Sequence, residues 1–290
     1  MLTATELKSI LSRHGITPRK YLGQNFLVDK NMAAKIVEAC ELSADDLVLE
    51  IGPGLGALTQ RISSVVNGVV AVEKDRAVCA ALGGLIKDSD NIELICGDFL
   101  KLDMEKIFIE AQGKIKVIGN LPYYITTPII EKLILSKDRL EAVFITVQRE
   151  VAHRLCAKPG SKDYGSISCF VQFHTNPSIL FEIDKHVFYP QPEVNSSFLR
   201  LSILEKPPVQ VNNTEKFFGV IRSAFGKRRK TILNSLLYSE FIDIDKAALA
   251  SLLRRLELNP LVRPEDLSLE EFARIANSLT EPSINNGHIG

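Results

Sequence analysis

From Leu47 onward, short aliphatic runs alternate with stretches of helical spacing. The runs lie at 47–51, 69–73, 92–95, 115–118 and 142–147. Helical periodicity fills much of the chain between them, at 58–66, 76–86 and 128–135. Runs that are apolar at every position, rather than at every second one, belong to strands buried on both faces. A helix between consecutive strands makes those strands parallel. The pattern therefore predicts an α/β fold, a parallel sheet with helices on both faces. Two further runs, 179–183 and 198–204, have no long helix between them, which predicts an antiparallel end to the sheet.

Pro207-Pro208 breaks the alternation. Beyond it the spacing is helical at 215–225, 229–237, 246–253 and 269–279, which predicts a small all-helical C-terminal domain. Ser268 with Glu271, and Thr3 with Glu6, have the spacing of a capping box, and Gly15 is placed to stop the first helix. Asp29 is placed to cap the next. The expected organisation is residues 1–28 as an N-terminal helix and cofactor-closing loop, 29–206 as the sheet domain, 207–281 as the helical domain, and 282–290 as a disordered polar tail.

The 290 residues suffice for one α/β domain and a smaller appendage, and at 46% hydrophobic they can fill a core. No apolar run approaches the roughly 18 residues of a membrane span, so no membrane partner is expected. Residues 1–14 carry Glu6, Lys8 and Arg13, which argues against a signal peptide. The five cysteines form no Cys-x-x-Cys pair. They read as free buried thiols in a reducing cytoplasm. His153 and Cys156 lie one helical turn apart, but no second pair completes a tetrahedron, so no metal is expected.

Asn120-Leu121-Pro122-Tyr123 follows the fourth run and ends it at a proline. It gathers an amide, a carbonyl whose following residue has no N–H, and an aromatic ring. Asn120 Oδ1 and the Leu121 carbonyl can accept the two hydrogens of an exocyclic amine while Tyr123 stacks on the ring that bears it. Adenine is such a ring. Alone, the segment reads equally well as a plain strand-to-turn junction.

The first run ends in Glu50-Ile51-Gly52-Pro53-Gly54-Leu55-Gly56, whose glycines permit a sharp turn and close approach to a ligand. Gly52-x-Gly54-x-x-Ala57 also fits a dinucleotide loop, and Glu73, about 20 residues on, suits ribose hydroxyls in either kind of site. Three details favour S-adenosyl-L-methionine. Glu50 would repel a pyrophosphate but suits a cationic amino-acid end. Asp98 can take the amine of the cofactor's adenine, with Phe99 packing on its ring, although Asp98 alone reads as a cap or turn residue. No hydride-transfer constellation is evident. Upstream, Gln24, Asn25 and Leu27 sit in Leu22-Gly23-Gln24-Asn25-Phe26-Leu27 and can close over the methionine end.

The 35 basic and 35 acidic residues balance, which argues against a general nucleic-acid coat but not against a local basic face. Arg222, Lys227, Arg228, Arg229 and Lys230 cluster around Phe225-Gly226 with no acid between them. The run is expected to start a helix, where phosphate contacts are favoured. Arg19 and Lys20, with Gln148, Arg149 and Arg154, extend this candidate track of phosphate contacts.

Taken together, these segments resemble the ribosomal RNA adenine dimethyltransferases, and among them the members that act on the small subunit. The resemblance runs from Arg19 to about Phe272. It rests on the segments above together with Gln148-Arg149-Glu150-Val151, Tyr164-Gly165 and Phe188-Tyr189-Pro190-Gln191-Pro192-Glu193-Val194. It implies a Rossmann-like S-adenosylmethionine-dependent methyltransferase sheet. Asn25, Leu27, Gly52, Glu73, Asp98 and Asn120 would touch the cofactor. Residues 120–123 would grip the target adenine and Phe188 would supply the opposite aromatic wall. Tyr124 departs from the smaller or polar residue of some members. The implied partner is small-subunit ribosomal RNA in an assembling 30S-type particle, met by a cytoplasmic monomer. The resemblance also implies dimethylation, of two adjacent adenines in a hairpin near the 3′ end of the 16S RNA. Three rivals stand beside it: a methyltransferase of large-subunit RNA that confers antibiotic resistance, a nicotinamide-dependent oxidoreductase, and a non-catalytic RNA-binding assembly factor.

Overall fold

The aliphatic runs form strands in a computed structural model that describes residues 2–18, 23–108, 113–122, 125–227, 229–237 and 244–279. From the N-terminus come α1 (Ala4–Arg13), β1 (Phe26–Leu27), α2 (Lys30–Ala39), β2 (Leu47–Ile51), α3 (Thr59–Ser63), β3 (Gly68–Glu73), α4 (Arg76–Ile86), β4 (Ile92–Cys96) and α5 (Met104–Phe108). They are followed by β5 (Ile115–Asn120), α6 (Thr126–Leu135), β6 (Leu140–Gln148), α7 (Arg149–Leu155), α8 (Ser166–His174), β7 (Thr175–Ile183), β8 (Phe188–Tyr189) and β9 (Ser196–Ile203). The capping boxes at Thr3 and Ser268 are both formed, and Asp29 caps α2 through the Met32 N–H.

The seven-stranded sheet has the order β4-β3-β2-β5-β6-β9-β7. β4 through β6 are parallel, while β9 is antiparallel to both β6 and β7, as the missing crossover helix predicted. β2, β3 and β5 are buried along nearly their whole length, which is why they read as unbroken apolar runs. The chain builds outward from β2 to β3 and β4, then returns to β5 on the other side of β2. That reversal leaves a crevice beyond the carboxyl ends of β2 and β5, where open α/β sheets bind ligands. Ile51 pairs with Gly119 at its floor. Glycine suits position 119, because a Cβ would lie 3.2 Å from the Ile51 carbonyl oxygen and 2.8 Å from Leu121 Cδ2, so that neighbours would have to shift.

Two pieces were not visible as periodicity. β1 and β8 form a separate two-stranded ribbon, pairing Leu27 with Phe188 and Phe26 with Tyr189. Cys79 of α4 and Cys96 of β4 are joined by a disulfide, with Cα atoms 5.8 Å apart. This corrects the expectation of five free thiols. Helix and strand packing brings these two within reach, while Cys40, Cys156 and Cys169 remain thiols.

The chain forms two compact units. One comprises Met1–His153 and Thr175–Glu205 and holds both sheets. Its cores gather Val48, Ala71, Ile118, Phe144 and Phe198 around the large sheet, and Leu7, Leu11, Phe26, Leu55 and Val78 beneath α1. The other takes Arg154–His174 together with the chain from Lys206 onward, including α9 (Thr214–Phe225), α10 (Ile232–Leu236), α11 (Lys246–Arg255) and α12 (Leu269–Ser278). Cys169 and Phe173 of α8 are buried in its core with Phe217, Val220 and Phe272. The helical unit is thus discontinuous in sequence. The expected tail at 282–290 lies outside the described residues. Among the described residues no helix is long and apolar enough to cross a membrane, and no cluster of metal-ligating side chains forms.

Candidate active site

A cavity of about 350 Å³ opens at the crevice beside β2 and β5, within the range of small-molecule sites. The expected residues Gln24, Asn25, Leu27, Glu50, Gly52, Gly54, Gly56, Glu73, Asp98, Phe99, Asn120, Pro122 and Phe188 all line it. Leu121 does not, though it is buried beside them.

The glycine loop is held by positive φ angles of 73° at Gly52 and 60° at Gly54. A Cβ on Gly54 would come within 3.0 Å of the Phe26 ring, so a side chain there is strained twice over. The Gly54 N–H donates to Glu73 Oε2 at 3.2 Å, and the Asp75 N–H donates to Oε1 at 2.8 Å. Both oxygens of Glu73 are aimed by main chain. Asp75 in turn caps α4 and accepts the Gln24 amide at 3.0 Å. Gln24 is therefore tied to the loop after β3.

Glu50 is 2% exposed, and its Oε2 accepts no hydrogen bond. Burial, above all, pushes its carboxyl up to about 7, and the Glu73 charge adds to the rise. The Thr59 hydroxyl beside it works the other way. Burial likewise raises the Glu73 carboxyl, against the pull of its backbone donors. A buried carboxylate oxygen left without a hydrogen bond is costly, and a cation in the cavity would relieve it.

At the far end of the cavity Asp98 both caps and presents a carboxylate. Its Oδ1 accepts the Leu100 N–H at 3.0 Å at the start of a single 3₁₀ turn, Phe99–Lys101. Its Oδ2 lies 3.0 Å from Lys74 Nζ. These partners hold its carboxyl below the ordinary range despite partial burial. The cap reading and the ligand reading are thus compatible. Lys74 and Lys132, which donates to three carbonyls of this turn, were missed from sequence because each reads as an ordinary surface lysine.

S-adenosylmethionine fits these acceptors at both ends. Buried Glu50, with Oε2 unbonded, suits its ammonium group. Asp98, with the buried Phe99 ring, suits its adenine.

Asn120 stands at the end of β5. Its Nδ2 donates to the Asn25 carbonyl at 3.1 Å, which leaves Oδ1 to accept from another group. Asn25 is itself turned back onto the Gly23 carbonyl through its side chain, at 3.3 Å. The Leu121 N–H donates to Thr146 O at 3.1 Å. The Pro122 carbonyl accepts the Ile125 N–H at 3.2 Å and the Thr126 hydroxyl at 3.3 Å, which launches α6. Phe188 is brought to the cavity wall by the β1–β8 ribbon and is 5% exposed. Tyr123 and Tyr124 lie outside the described residues.

The basic residues divide between the units. In the helical unit Arg154, Lys227, Arg229 and Lys230 line one cleft of about 490 Å³, joined by Lys162 and Arg263, which sequence reasoning missed. Asp163 and Glu265 are its acidic members. The run does not start a helix as expected. Arg229 adopts φ 71°, and Thr231 caps the short α10 after it, so the cations sit on the turn. Arg222 is exposed on α9 and does not line the cleft. Arg149 belongs to the sheet unit, 60% exposed, with its Nε 3.9 Å from Glu182. Arg19, Lys20 and Arg228 lie outside the described residues.

Sheet order and cavity define a class, the Rossmann-like methyltransferases that take S-adenosylmethionine as donor. Within that class the chain belongs to the ribosomal RNA adenine dimethylase family, whose model matches residues 15–281. It is 44% identical over 283 residues to ribosomal RNA small subunit methyltransferase A of Pelotomaculum thermopropionicum, covering 95% of this chain and 96% of that protein. It is 42% identical over 278 residues to the protein of that name from Moorella thermoacetica, covering 93% and 96%. Among solved structures, a dimethyladenosine transferase from Plasmodium falciparum shares the fold with a TM-score of 0.72 at 21% identity, over 86% of this chain and 95% of that one. The 23S rRNA methyltransferase ErmE does so with a TM-score of 0.67 at 24% identity, over 88% and 99%.

Proposed function

We propose that this protein dimethylates N6 of adenine in small-subunit ribosomal RNA, at two adjacent adenines of a hairpin near the 3′ end of the 16S RNA, as a step of subunit biogenesis. One observation carries the reading. The Asn120 amide is fixed by Asn25 so that its Oδ1 is left to accept in the cavity that Pro122 and Phe188 also line. The names of the relatives support the small subunit over the large one. The buried Glu50 and the Asn120 segment have no role in nicotinamide chemistry.

When bound, S-adenosylmethionine supplies a methyl group on a positively charged sulfur. Glu50 faces its amino end, with Gln24, Asn25 and Leu27 around the methionine chain. Gly52, Gly54 and Gly56 offer main chain, Glu73 holds the ribose hydroxyls, and Asp98 and Phe99 hold the adenine. Leu7 of α1 and Leu2 just before it wall the cavity.

The target amine is a poor nucleophile because its lone pair is delocalised into the ring. In the first transfer Asn120 Oδ1 and the Leu121 carbonyl accept its two hydrogens, which lets the nitrogen pyramidalise and aims the lone pair; in the second the monomethyl nitrogen rotates and keeps one of the two bonds. Catalysis is then mostly positioning, which can supply roughly 7–11 kcal/mol. No side chain needs to take the proton first; it leaves N6 after transfer. Extruding the base costs a few kcal/mol, and stacking at about 1–3 kcal/mol per base offsets this at Phe188 and Tyr123. The basic cleft of the helical unit holds phosphates, and Arg222 on α9 and Arg149 of the sheet unit each supply a further phosphate contact. The balanced net charge fits recognition of a folded, assembling 30S-type particle by a cytoplasmic monomer.

The test is to incubate the protein with unmethylated small subunits and S-adenosylmethionine and map the products by mass spectrometry. Two neighbouring dimethylated adenines are expected. Methylation confined to large-subunit RNA, or none, would overturn the reading.

A further inference from the structure

We propose that Lys132 is a positioning residue for the adenine end of the donor cavity, a role that rests on the methyltransferase reading above. The turn at Phe99–Lys101 is one round of 3₁₀ helix. Such short pieces are not stable alone, and their terminal carbonyls need partners. Its own bonds are few: Lys101 N–H to Asp98 O at 2.8 Å, Leu102 N–H to Phe99 O at 3.2 Å, and the Asp98 cap. Lys132 Nζ supplies the rest. It donates to the carbonyls of Phe99, Leu100 and Leu102 at 2.8, 3.0 and 2.5 Å. An ammonium group has three protons, so all of them go to this one turn. Nζ also lies 5.2 Å from the centroid of the Phe99 ring.

The placement of Lys132 gives these bonds a functional sense. It sits on α6, whose first turn is bonded to the Pro122 carbonyl of the target-base segment. One helix therefore anchors Asn120-Leu121-Pro122 at its start and Asp98-Phe99 further along. Removing Lys132 frees the turn that carries Asp98 and Phe99 while leaving the Asn120 segment bonded through Ile125 and Thr126. The loss should fall on donor binding and not on the chemical step.

The experiment titrates the full chain with S-adenosylmethionine and with 5′-methylthioadenosine, which lacks the amino-acid end, by calorimetry. Lys132→Met and Lys132→Arg are compared with the wild type, alongside thermal unfolding and methylation kinetics. Lys132→Met should weaken both ligands by about ten-fold, the scale of one missing set of charged hydrogen bonds, and raise KM for the donor while kcat at saturation is kept. Lys132→Arg, with charge but a different donor geometry, should fall between. Unchanged affinity for both ligands, with or without a lower Tm, would overturn the role, as would a loss confined to kcat. Should Lys132→Met not fold, Lys132→Arg decides alone: weaker 5′-methylthioadenosine binding upholds the role, and wild-type binding overturns it. Failure of the wild type itself to bind S-adenosylmethionine would instead sink the donor-site reading beneath it.

Discussion

The main-chain carbonyl of Asn25 accepts the side-chain amide of Asn120 at 3.1 Å across 95 residues of sequence. The bond decides which end of a symmetric-looking amide is left to accept a hydrogen bond. It also places the loop expected to close over the donor in direct control of the group expected to hold the acceptor.

Asn120→Ala should lower kcat by about 10²–10³-fold, the usual effect of removing one preorganised polar group from a transition state. Binding of S-adenosylmethionine should survive. Tritium transfer to rRNA, measured beside calorimetry, checks both. Transfer at the wild-type rate would remove Asn120 from the reaction.

Glu50 gives the ligand-free protein a pH dependence. Its carboxyl titrates at about 7 in the folded chain against an ordinary 4.5. Folding therefore favours the protonated form. The associated stability is full below pH 4.5 and is lost as pH rises toward 7. Glu50→Gln should abolish that decline and raise the ligand-free Tm at pH 8 by about 5–7 °C. Donor affinity should move oppositely, rising through pH 7 in the wild type and staying flat and weak in the variant. Thermal unfolding and calorimetry across pH 5–8 test the pair.

Phe188→Ala should reduce kcat/KM on RNA by about ten-fold or more, since stacking of one base is worth roughly 1–3 kcal/mol. Because Phe188 also pairs with Leu27 in the ribbon, Phe188→Leu is the control that keeps an apolar side chain there. Turnover equal to wild type in the alanine variant would remove the aromatic wall.

Neutralising Arg229 and Arg263 together should flatten the salt dependence of small-subunit binding by about 0.7–0.9 log units for each phosphate that is no longer neutralised. An unchanged slope in filter binding across salt would take the cleft out of the interface.

Alkylation of unfolded, unreduced protein should label Cys40, Cys156 and Cys169, with Cys79 and Cys96 labelled only after reduction. Peptide mass spectrometry reads this directly.

Much of the fold was legible because parallel strands buried on both faces leave unbroken apolar runs, and because caps such as Asp29 and Ser268 are local chemistry. The glycine loop and Asn120 were legible for the same reason: their chemistry lies in consecutive residues. What escaped is non-local. The Phe26–Tyr189 ribbon pairs two-residue strands too short to show a period. The bond between Cys79 and Cys96 depends on how a helix lies on its sheet. Lys162 and Arg263 joined the basic cleft only through folding. The basic run was read as a helix start because spacing does not reveal that Arg229 turns left-handed.

The discontinuity of the helical unit sets limits on how the gene can be cut. Ending translation after residue 205 would retain α8 but discard the partners of Phe173 and Cys169, stranding greasy side chains in water. Starting at residue 206 would omit α8 from the bundle it completes. Neither half is a natural fragment, and during synthesis α8 must wait for the last helices to leave the ribosome before its apolar face is sheltered.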